Sequence, residues 1–248
     1  MNYREAYHDL KNLAHELGHS INAYLSEQNQ PYLYSDSTVF IGETASLVNE
    51  LLLNQYLFQQ ATNEKEKIFY LSTMIEDYFV KIFKQTMYTE FESKLYEAVQ
   101  NGVELTASFL KKEFSILQKQ YFGEFTTYDE CASVEWSRLG HLYRWSYYVY
   151  QYATGFMMAS LVTNEIINQK EGFIEKYLTF LSSGSNNDSL ELLKQINVDF
   201  SNKDMFDHSF LLLEQNISIL QTILKVDSQF QQGKESEEIL PTEKPKSL

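Results

Sequence analysis

The sequence predicts an all-α protein, and three observations support this fold class. Glycine and proline are scarce, with 9 and 3 copies in 248 residues, so few residues interrupt long helices. Hydrophobic residues make up 44% of the chain and aromatic residues 15%, which is enough for a substantial core. Apolar residues recur at helical spacing along most of the chain. We therefore expect one helical domain over residues 1–226 and a disordered tail over residues 227–248.

The first two predicted helices cover about residues 3–26 and 38–61. The helical spacing of the first is carried by Tyr7, Leu10, Leu13, Ala14, Leu17 and Ile21. Pro31 ends this helix because proline lacks an N–H and disfavours the helical conformation in the residue before it. The turn also contains three good N-cap residues for the second helix, which are Ser35, Asp36 and Ser37.

A third, longer helical stretch is predicted over about residues 64–100, and Asn101-Gly102 ends it. Its apolar face is predicted to consist of Ile68, Leu71, Ile75, Phe79 and Phe83. Thr106 is a predicted N-cap for a fourth helix that ends near Gly123.

The second half of the chain begins with a loop-rich segment over residues 123–145, which is predicted to contain a short helix. Segments of this kind carry function more often than helix interiors do. Gly155 lies inside the next predicted helix, at a cost of about 1 kcal/mol unless close packing requires it. The remaining helices are predicted over about residues 146–169, 171–182, 188–195 and 204–226.

The most informative motif is the pentad His15-Glu16-Leu17-Gly18-His19 in the first helix. Two histidines four residues apart lie on one face of a helix, so both imidazoles can bind a single metal ion. Glu16 between them can take a proton from water at that metal. The alternative is an amphipathic helix with two surface histidines, which the pentad alone does not exclude.

Glu43 is the next candidate ligand, because a catalytic zinc site needs a third protein ligand and an open fourth position. In the second helix Glu43 shares a face with Ser46, Leu47 and Glu50, and the turn between the helices allows it to reach the pentad. The alternative for Glu43 is an ordinary solvated carboxylate. Ligand histidines also need an acceptor for the second ring nitrogen, and the sequence leaves both Glu50 and Asp36 open for this role.

Several segments resemble oligoendopeptidase F, which belongs with thimet oligopeptidase and neurolysin to the zinc-dependent oligopeptidases. These segments are LAHELGHS at 13–20, NQPY at 29–32, ETASLVNE at 43–50, VEWSRLGH at 134–141, YYVYQYATG at 147–155 and YLTFLSSG at 177–184. The resemblance runs from about residue 3 to about residue 225. It implies a multi-helix, zincin-type catalytic domain that corresponds to the C-terminal half of the oligoendopeptidase F fold.

The resemblance also implies a function and a metal. One Zn²⁺ is expected to be bound by His15, His19 and Glu43, with Glu16 acting as general base and then as general acid. The expected reaction is the hydrolysis of peptide bonds in oligopeptides by a zinc endopeptidase.

The resemblance implies roles for three further residues, and the chain also departs from the family pattern. His141, Tyr147 and Tyr150 fall where the family contacts substrate and stabilises the oxyanion. Asn22 replaces a histidine that family members often carry three residues after the pentad, at a position that we do not expect to be a ligand.

The largest departure is length, because in the family the pentad lies well past the middle of the chain. We therefore expect the chain to correspond to the C-terminal part of the family enzyme without its N-terminal region. Either a complementary polypeptide supplies that region, or the gene is truncated, or the chain is an isolated fragment. The alternative function is a truncated, catalytically inactive zinc-binding domain or subunit that acts by binding a partner or by self-association.

Composition excludes several other classes. The formal net charge is −14 and no basic patch is present, so nucleic-acid binding is not expected. No apolar run reaches the roughly 18 residues that a membrane span requires, and residues 1–5 do not resemble a signal peptide. Cys131 is the only cysteine, which fits a reducing compartment. We therefore expect a soluble, cytoplasmic protein.

Overall fold

The computed structural model describes residue 4, residues 6–123 and residues 126–224. Within these residues every regular element is a helix, which confirms the predicted all-α class. The α-helices are α1 (Tyr7–Asn29), α2 (Val39–Gln60), α3 (Glu64–Tyr78), α4 (Gln85–Gln100), α5 (Ala107–Phe122), α6 (Gly140–Arg144), α7 (Tyr150–Ile167), α8 (Phe173–Leu181), α9 (Ser189–Gln195) and α10 (Lys203–Leu224). Among them, none combines the length and the apolar character needed to cross a membrane. The predicted tail lies outside the described residues.

The predicted N-caps of α2 are wrong, although its predicted bounds agree with the structure to within one residue. The N-cap is Thr38, with an extended backbone, and its side chain makes no capping hydrogen bond. The hydroxyl of Thr38 instead lies 2.9 Å from the hydroxyl of Ser189 at the start of α9. The cap position is therefore used to connect two helices. By contrast, Thr106 caps α5 as predicted, since its Oγ1 accepts a hydrogen bond from the N–H of Phe109.

Residues 64–100 are helical throughout, but six of them, Phe79–Lys84, form a π-helical segment between α3 and α4. A π turn holds an extra residue and rotates the residues around it relative to a regular helix. The predicted face is therefore partly wrong, because the Phe79 side chain is 43% exposed. The buried hydrophobic residues of α3 and the π-helical segment are Leu71, Met74, Tyr78 and Ile82.

Helix α7 begins at Tyr150, four residues later than the sequence predicted. The delay has a backbone cause, because Tyr147 has a φ of 52°, in the left-handed region. The N–H of Tyr147 donates to Oε1 of the buried Glu92 at 2.8 Å, which fixes this turn against α4. The loop before α7 contains a 3₁₀ segment, Ala132–Arg138, in addition to α6, where one short helix was predicted.

The core has two parts. The larger cluster packs side chains of α2, α7, α8, α9 and the neighbouring faces of α3 and α10 around Phe156 and Val48. The smaller cluster joins α4 and α5 around Phe91 and Phe114. Helix α2 lies between α1 and α7 and contacts both along much of its length. The face of α2 opposite α1 is therefore supported by α7.

Gly18 allows the close packing of α1 on α2, whereas α7 approaches α2 at ordinary contact distance. A Cβ added to Gly18 in α1 would lie 2.7 Å from the backbone nitrogen of Ser46, so no larger residue fits at the crossing of α1 and α2. A Cβ added to Gly155 in α7 would lie 3.5 Å from the Cβ of Glu43, which is ordinary contact. Glu43 therefore lies between two closely packed helices, at the level of the pentad.

Candidate metal centre

Three potential ligands from α1 and α2 converge at one point. The Nε2 atoms of His15 and His19 are 3.1 Å apart, and Nε2 of His15 is 3.6 Å from Oε2 of Glu43. The three ligand atoms all lie within 4.8 Å of one another. Two ligands about 2.1 Å from a tetrahedral zinc ion lie about 3.4 Å apart, so these separations fit a shared ion. The sequence prediction that Glu43 reaches the histidine pair agrees with this arrangement.

The residues present fit a divalent metal ion on chemical grounds as well. Oε2 of Glu43 is buried and has no hydrogen-bond partner among the described residues. An unpartnered carboxylate oxygen in a buried position is costly, and a cation removes this cost. Two imidazole nitrogens and one carboxylate oxygen are also the donor set of many catalytic zinc sites.

Glu50 orients the first histidine. Its Oε1 lies 2.7 Å from Nδ1 of His15, so the acceptor left open by the sequence is Glu50 and not Asp36. When Nδ1 of a neutral imidazole donates a hydrogen bond, Nε2 carries a free lone pair. In this tautomer Nε2 of His15 points its lone pair at the position shared with His19 and Glu43. The same arrangement is common around zinc-bound histidines.

The electrostatics of this pair follow from its surroundings. Burial would raise the pKa of Glu50, but the hydrogen bond with His15 and the charges of Lys81 and Lys11 lower it to about 2. Burial also opposes the charged form of His15, yet the hydrogen bond to Glu50 and the charges of Glu50 and Glu43 raise the pKa of this imidazole above its usual value. Glu50 is therefore a carboxylate at neutral pH and accepts the hydrogen bond from His15.

Two of these potential ligands, His15 and Glu43, lie in the wall of an open cleft of about 760 Å³ between α1 and α3. Glu16 lines this cleft beside His15 and Glu43, as its position in the pentad predicts. The cleft continues along α1 past Lys11 and Asn12 to an end that is lined by Tyr7 and Phe69. The cleft therefore exposes two of the potential ligands and the carboxylate of Glu16 to the same space.

Tyr152 is a cleft residue that the sequence reasoning missed. It lines the cleft together with Glu43, and its hydroxyl lies 3.4 Å from Nε2 of His141. Burial and the nearby charges of Tyr148 and Glu43 raise the pKa of Tyr152 to about 12, so this hydroxyl keeps its proton at neutral pH. The signal that could have found Tyr152 is its position near the start of α7, because α7 packs against α2, the helix that carries Glu43.

The other three predicted site residues, His141, Tyr147 and Tyr150, are not among the residues that line the cleft. His141 is half-buried and its ring stacks on Tyr148 with centroids 5.3 Å apart. Tyr147 stacks on Tyr96 with ring centroids 5.4 Å apart, and its side chain is 41% exposed. Tyr150 is the first residue of α7 and is 39% exposed. The structure thus brings His141 close to the cleft through Tyr152.

Comparisons with known proteins identify the family of this chain. Residues 1–212 match the model of peptidase family M3. The oligopeptidase PepF of Bacillus subtilis is 34% identical over 224 residues, which are 90% of this chain and 33% of that protein. An oligoendopeptidase F homologue of Lactococcus lactis is 32% identical over 225 residues, which are 91% of this chain and 37% of that protein. The chain thus spans about a third of the length of these curated relatives.

Solved structures show the same relationship. A putative peptidase from Chlamydophila abortus superposes with a TM-score of 0.81 at 33% identity and covers 90% of this chain, which covers 37% of that structure. Oligoendopeptidase F from Enterococcus faecium gives a TM-score of 0.75 at 30% identity, with 87% of this chain and 39% of that structure covered. The predicted oligoendopeptidase F-like fold is confirmed, and the chain belongs to peptidase family M3.

Proposed function

We propose that the chain is the metal-binding catalytic part of a zinc endopeptidase that hydrolyses peptide bonds in oligopeptides. The observation that carries the proposal is the convergence of His15, His19 and Glu43 beside an open cleft that His15 and Glu43 line. Membership of peptidase family M3 and relatives named as oligopeptidases support the reaction and the substrate class. A cytoplasmic location, expected from the sequence, belongs to the same proposal.

Each residue of the centre has a role in this reaction. His15, His19 and Glu43 would hold one Zn²⁺, with the His15 ring oriented by Glu50. Bound there, zinc supplies a Lewis acid for the scissile carbonyl and lowers the pKa of water from about 15.7 toward 7. Glu16 takes the proton from the attacking water and then delivers it to the leaving amine, which is general base and acid catalysis by one carboxylate.

A hydroxyl group completes the proposed mechanism by donating a hydrogen bond to the tetrahedral oxyanion. We assign this donor to Tyr152, because it lines the cleft beside Glu43 and keeps its proton at neutral pH. His141 then acts by holding the hydroxyl of Tyr152. Tyr147 and Tyr150, which the resemblance also favours, are assigned to substrate contact on the exposed surface next to α7. One donor of this kind contributes about 3 kcal/mol to lowering the barrier.

The experiment measures zinc content and turnover of a fluorogenic oligopeptide by the purified chain. We expect about one zinc ion per chain and turnover that Glu16→Gln abolishes, while the variant keeps its zinc. Glu27→Gln is the matched control, since Glu27 is an exposed glutamate on the same helix and is not among the residues that line the cleft. A Glu16→Gln protein that cleaves the peptide at the wild-type rate would refute the assigned base.

A second candidate function is a zinc-binding subunit that is inactive alone and acts through a partner. The observation that favours it is an exposed apolar stripe on α1, which consists of Leu13, Leu17, Ile21 and Tyr24 with exposed fractions of 40%, 49%, 44% and 64%. Exposed apolar surfaces of this kind mark interfaces. Sedimentation of the zinc-loaded chain separates the two functions. A monomer with peptide turnover supports the enzyme, and an inert oligomer supports the subunit.

A further inference from the structure

A cluster of four charged residues lies directly behind the first histidine of the centre. It consists of Lys11 from α1, Glu50 from α2, Asp77 from α3 and Lys81 from the π-helical segment. Their side chains are only 8–20% exposed. Buried charges are retained only when they are paired, so the contacts inside this cluster determine how each side chain is oriented.

Both oxygens of Glu50 are occupied by this arrangement. Oε1 lies 2.7 Å from Nδ1 of His15, while Oε2 accepts a hydrogen bond from Nζ of Lys81 at 2.6 Å and lies 3.3 Å from Nζ of Lys11. A carboxylate held at both oxygens cannot rotate about its terminal bond without breaking one of the contacts. The lysines thus leave Oε1, and only Oε1, for His15.

Asp77 in turn fixes the two lysines. Its carboxylate accepts hydrogen bonds from Nζ of Lys11 at 2.5 and 2.6 Å, and it lies 3.9 Å from Nζ of Lys81. Lys11 therefore connects α1 to α3, and Lys81 connects the π-helical segment to α2. The contacts link these four segments around the ligands, so a displacement of any one of them changes the position of Glu50.

The position of Lys81 adds a second, independent observation. Lys81 and Lys84 are three residues apart in the π-helical segment, but they point to different parts of the molecule. Lys84 pairs with Glu135 in the 3₁₀ segment, whereas Lys81 reaches Glu50. Single π turns inside α-helices are rare and often occur at functional sites. Here the π-helical segment contains Lys81, whose side chain extends toward the metal centre and contacts Glu50.

We propose that Lys11, Asp77 and Lys81 are positioning residues for metal binding: they hold Glu50 so that His15 presents the lone pair of Nε2 to the ion. The inference rests on the proposed function only in taking zinc as the ion. Outer partners of this kind are typically worth about 10- to 100-fold in metal affinity. In this role none of the three residues is a ligand of the ion.

The test measures two properties: zinc affinity, by competition with a chelator, and the tautomer of His15, by nitrogen NMR in the metal-free chain at a pH at which the imidazole is neutral. For Lys81→Met we expect the dissociation constant for zinc to rise about 10- to 100-fold and His15 to lose its uniform Nδ1–H tautomer. Lys84→Met is the matched control. It removes the ion pair between Lys84 and Glu135 from the same segment and leaves the contacts of Glu50 in place. Lys81→Arg is expected to restore both readouts, because it restores the charge.

Each outcome decides the inference. Unchanged affinity and tautomer in Lys81→Met, or an equal loss in Lys84→Met, would overturn it. If Lys81→Met does not fold, Asp77→Asn removes the anchor of both lysines and gives the same readouts. A wild-type chain that binds no zinc overturns the proposed function, and the tautomer in the metal-free variants still tests the positioning of His15.

Discussion

The Cα of Gly18 in α1 lies against the backbone of Ser46 in α2, at the point where the two helices cross. A Cβ at position 18 would lie 2.7 Å from both the nitrogen of Ser46 and the carbonyl oxygen of Ala45. Only glycine allows this approach, and the approach brings His15 to within 3.6 Å of Glu43. The glycine of the pentad therefore helps to build the metal centre without being a ligand.

Gly18→Ala is predicted to destabilise the chain and to weaken zinc binding together. Alanine gains up to about 1 kcal/mol of helix propensity over glycine, but forcing a methyl group into this contact costs about 1–3 kcal/mol and separates α1 from α2. Urea unfolding and chelator competition measure the two effects.

The control is Gly42→Ala in α2, where an added Cβ meets nothing within 4 Å. This variant is expected to be as stable as the wild type or more stable, by up to about 1 kcal/mol. A Gly18→Ala protein with wild-type stability and zinc affinity would contradict the role given to the helix crossing.

Asn22 is predicted to contribute to stability and not to metal binding. It is 5% exposed and its Nδ2 donates to the carbonyl oxygen of Leu181 at 2.9 Å, which fixes α1 to the end of α8. Asn22→Ala leaves this carbonyl without its donor, at a cost of about 1–3 kcal/mol. Asn29→Ala removes an exposed contact within α1, and we expect it to change the free energy of unfolding by no more than about 0.5 kcal/mol. Thermal unfolding measures both, and equal effects would argue against the assigned contact.

The free energy of unfolding of the metal-free chain is predicted to depend on pH through Glu50. The pKa of this carboxyl is lowered from 4.5 to about 2 in the folded state, so its stabilising contribution is present above pH 4.5 and is lost as the pH falls toward 2. The shift corresponds to about 3 kcal/mol at neutral pH. We therefore expect the difference in stability between wild type and Glu50→Gln to shrink by about 2 kcal/mol between pH 7 and pH 3. A difference that stays constant over this range would show that Glu50 is not the carboxylate held by His15 and the lysines.

Tyr152→Phe tests the proposed oxyanion donor. Removing its hydroxyl is expected to lower kcat by about 100- to 1000-fold while zinc affinity stays unchanged. Tyr150→Phe is the matched control on the same helix, and we expect it to change KM more than kcat, because Tyr150 is assigned to substrate contact. If Tyr150→Phe lowers kcat more than Tyr152→Phe does, the two assignments must be exchanged.

The parts of the centre that the sequence predicts are those with local causes. The two histidines share a helix face because they are four residues apart, and Glu43 reaches them because a single turn at Pro31 folds α2 back onto α1. The bounds of α2 and α5 also agree with prediction, because proline, glycine and a threonine cap act within a few residues.

The parts that the sequence did not predict depend on contacts between distant segments. The hydrogen bond between Glu50 and Lys81 joins two helices and depends on a π turn that leaves no clear pattern in the sequence. The choice among the tyrosines depended on where α7 begins, and the left-handed turn at Tyr147, held by Glu92, moved that start by four residues. Helical periodicity cannot report such a turn, because the buried partner lies on another helix.

The most direct test of the account is a crystal structure of the chain with zinc, in which anomalous scattering at the zinc edge locates the ion. We predict one peak about 2.0–2.2 Å from Nε2 of His15, Nε2 of His19 and an oxygen of Glu43. In Glu43→Gln the peak is expected to weaken strongly while the helices keep their positions. A zinc peak elsewhere, or a peak on the two histidines with Glu43 turned away in the wild type, would contradict the account.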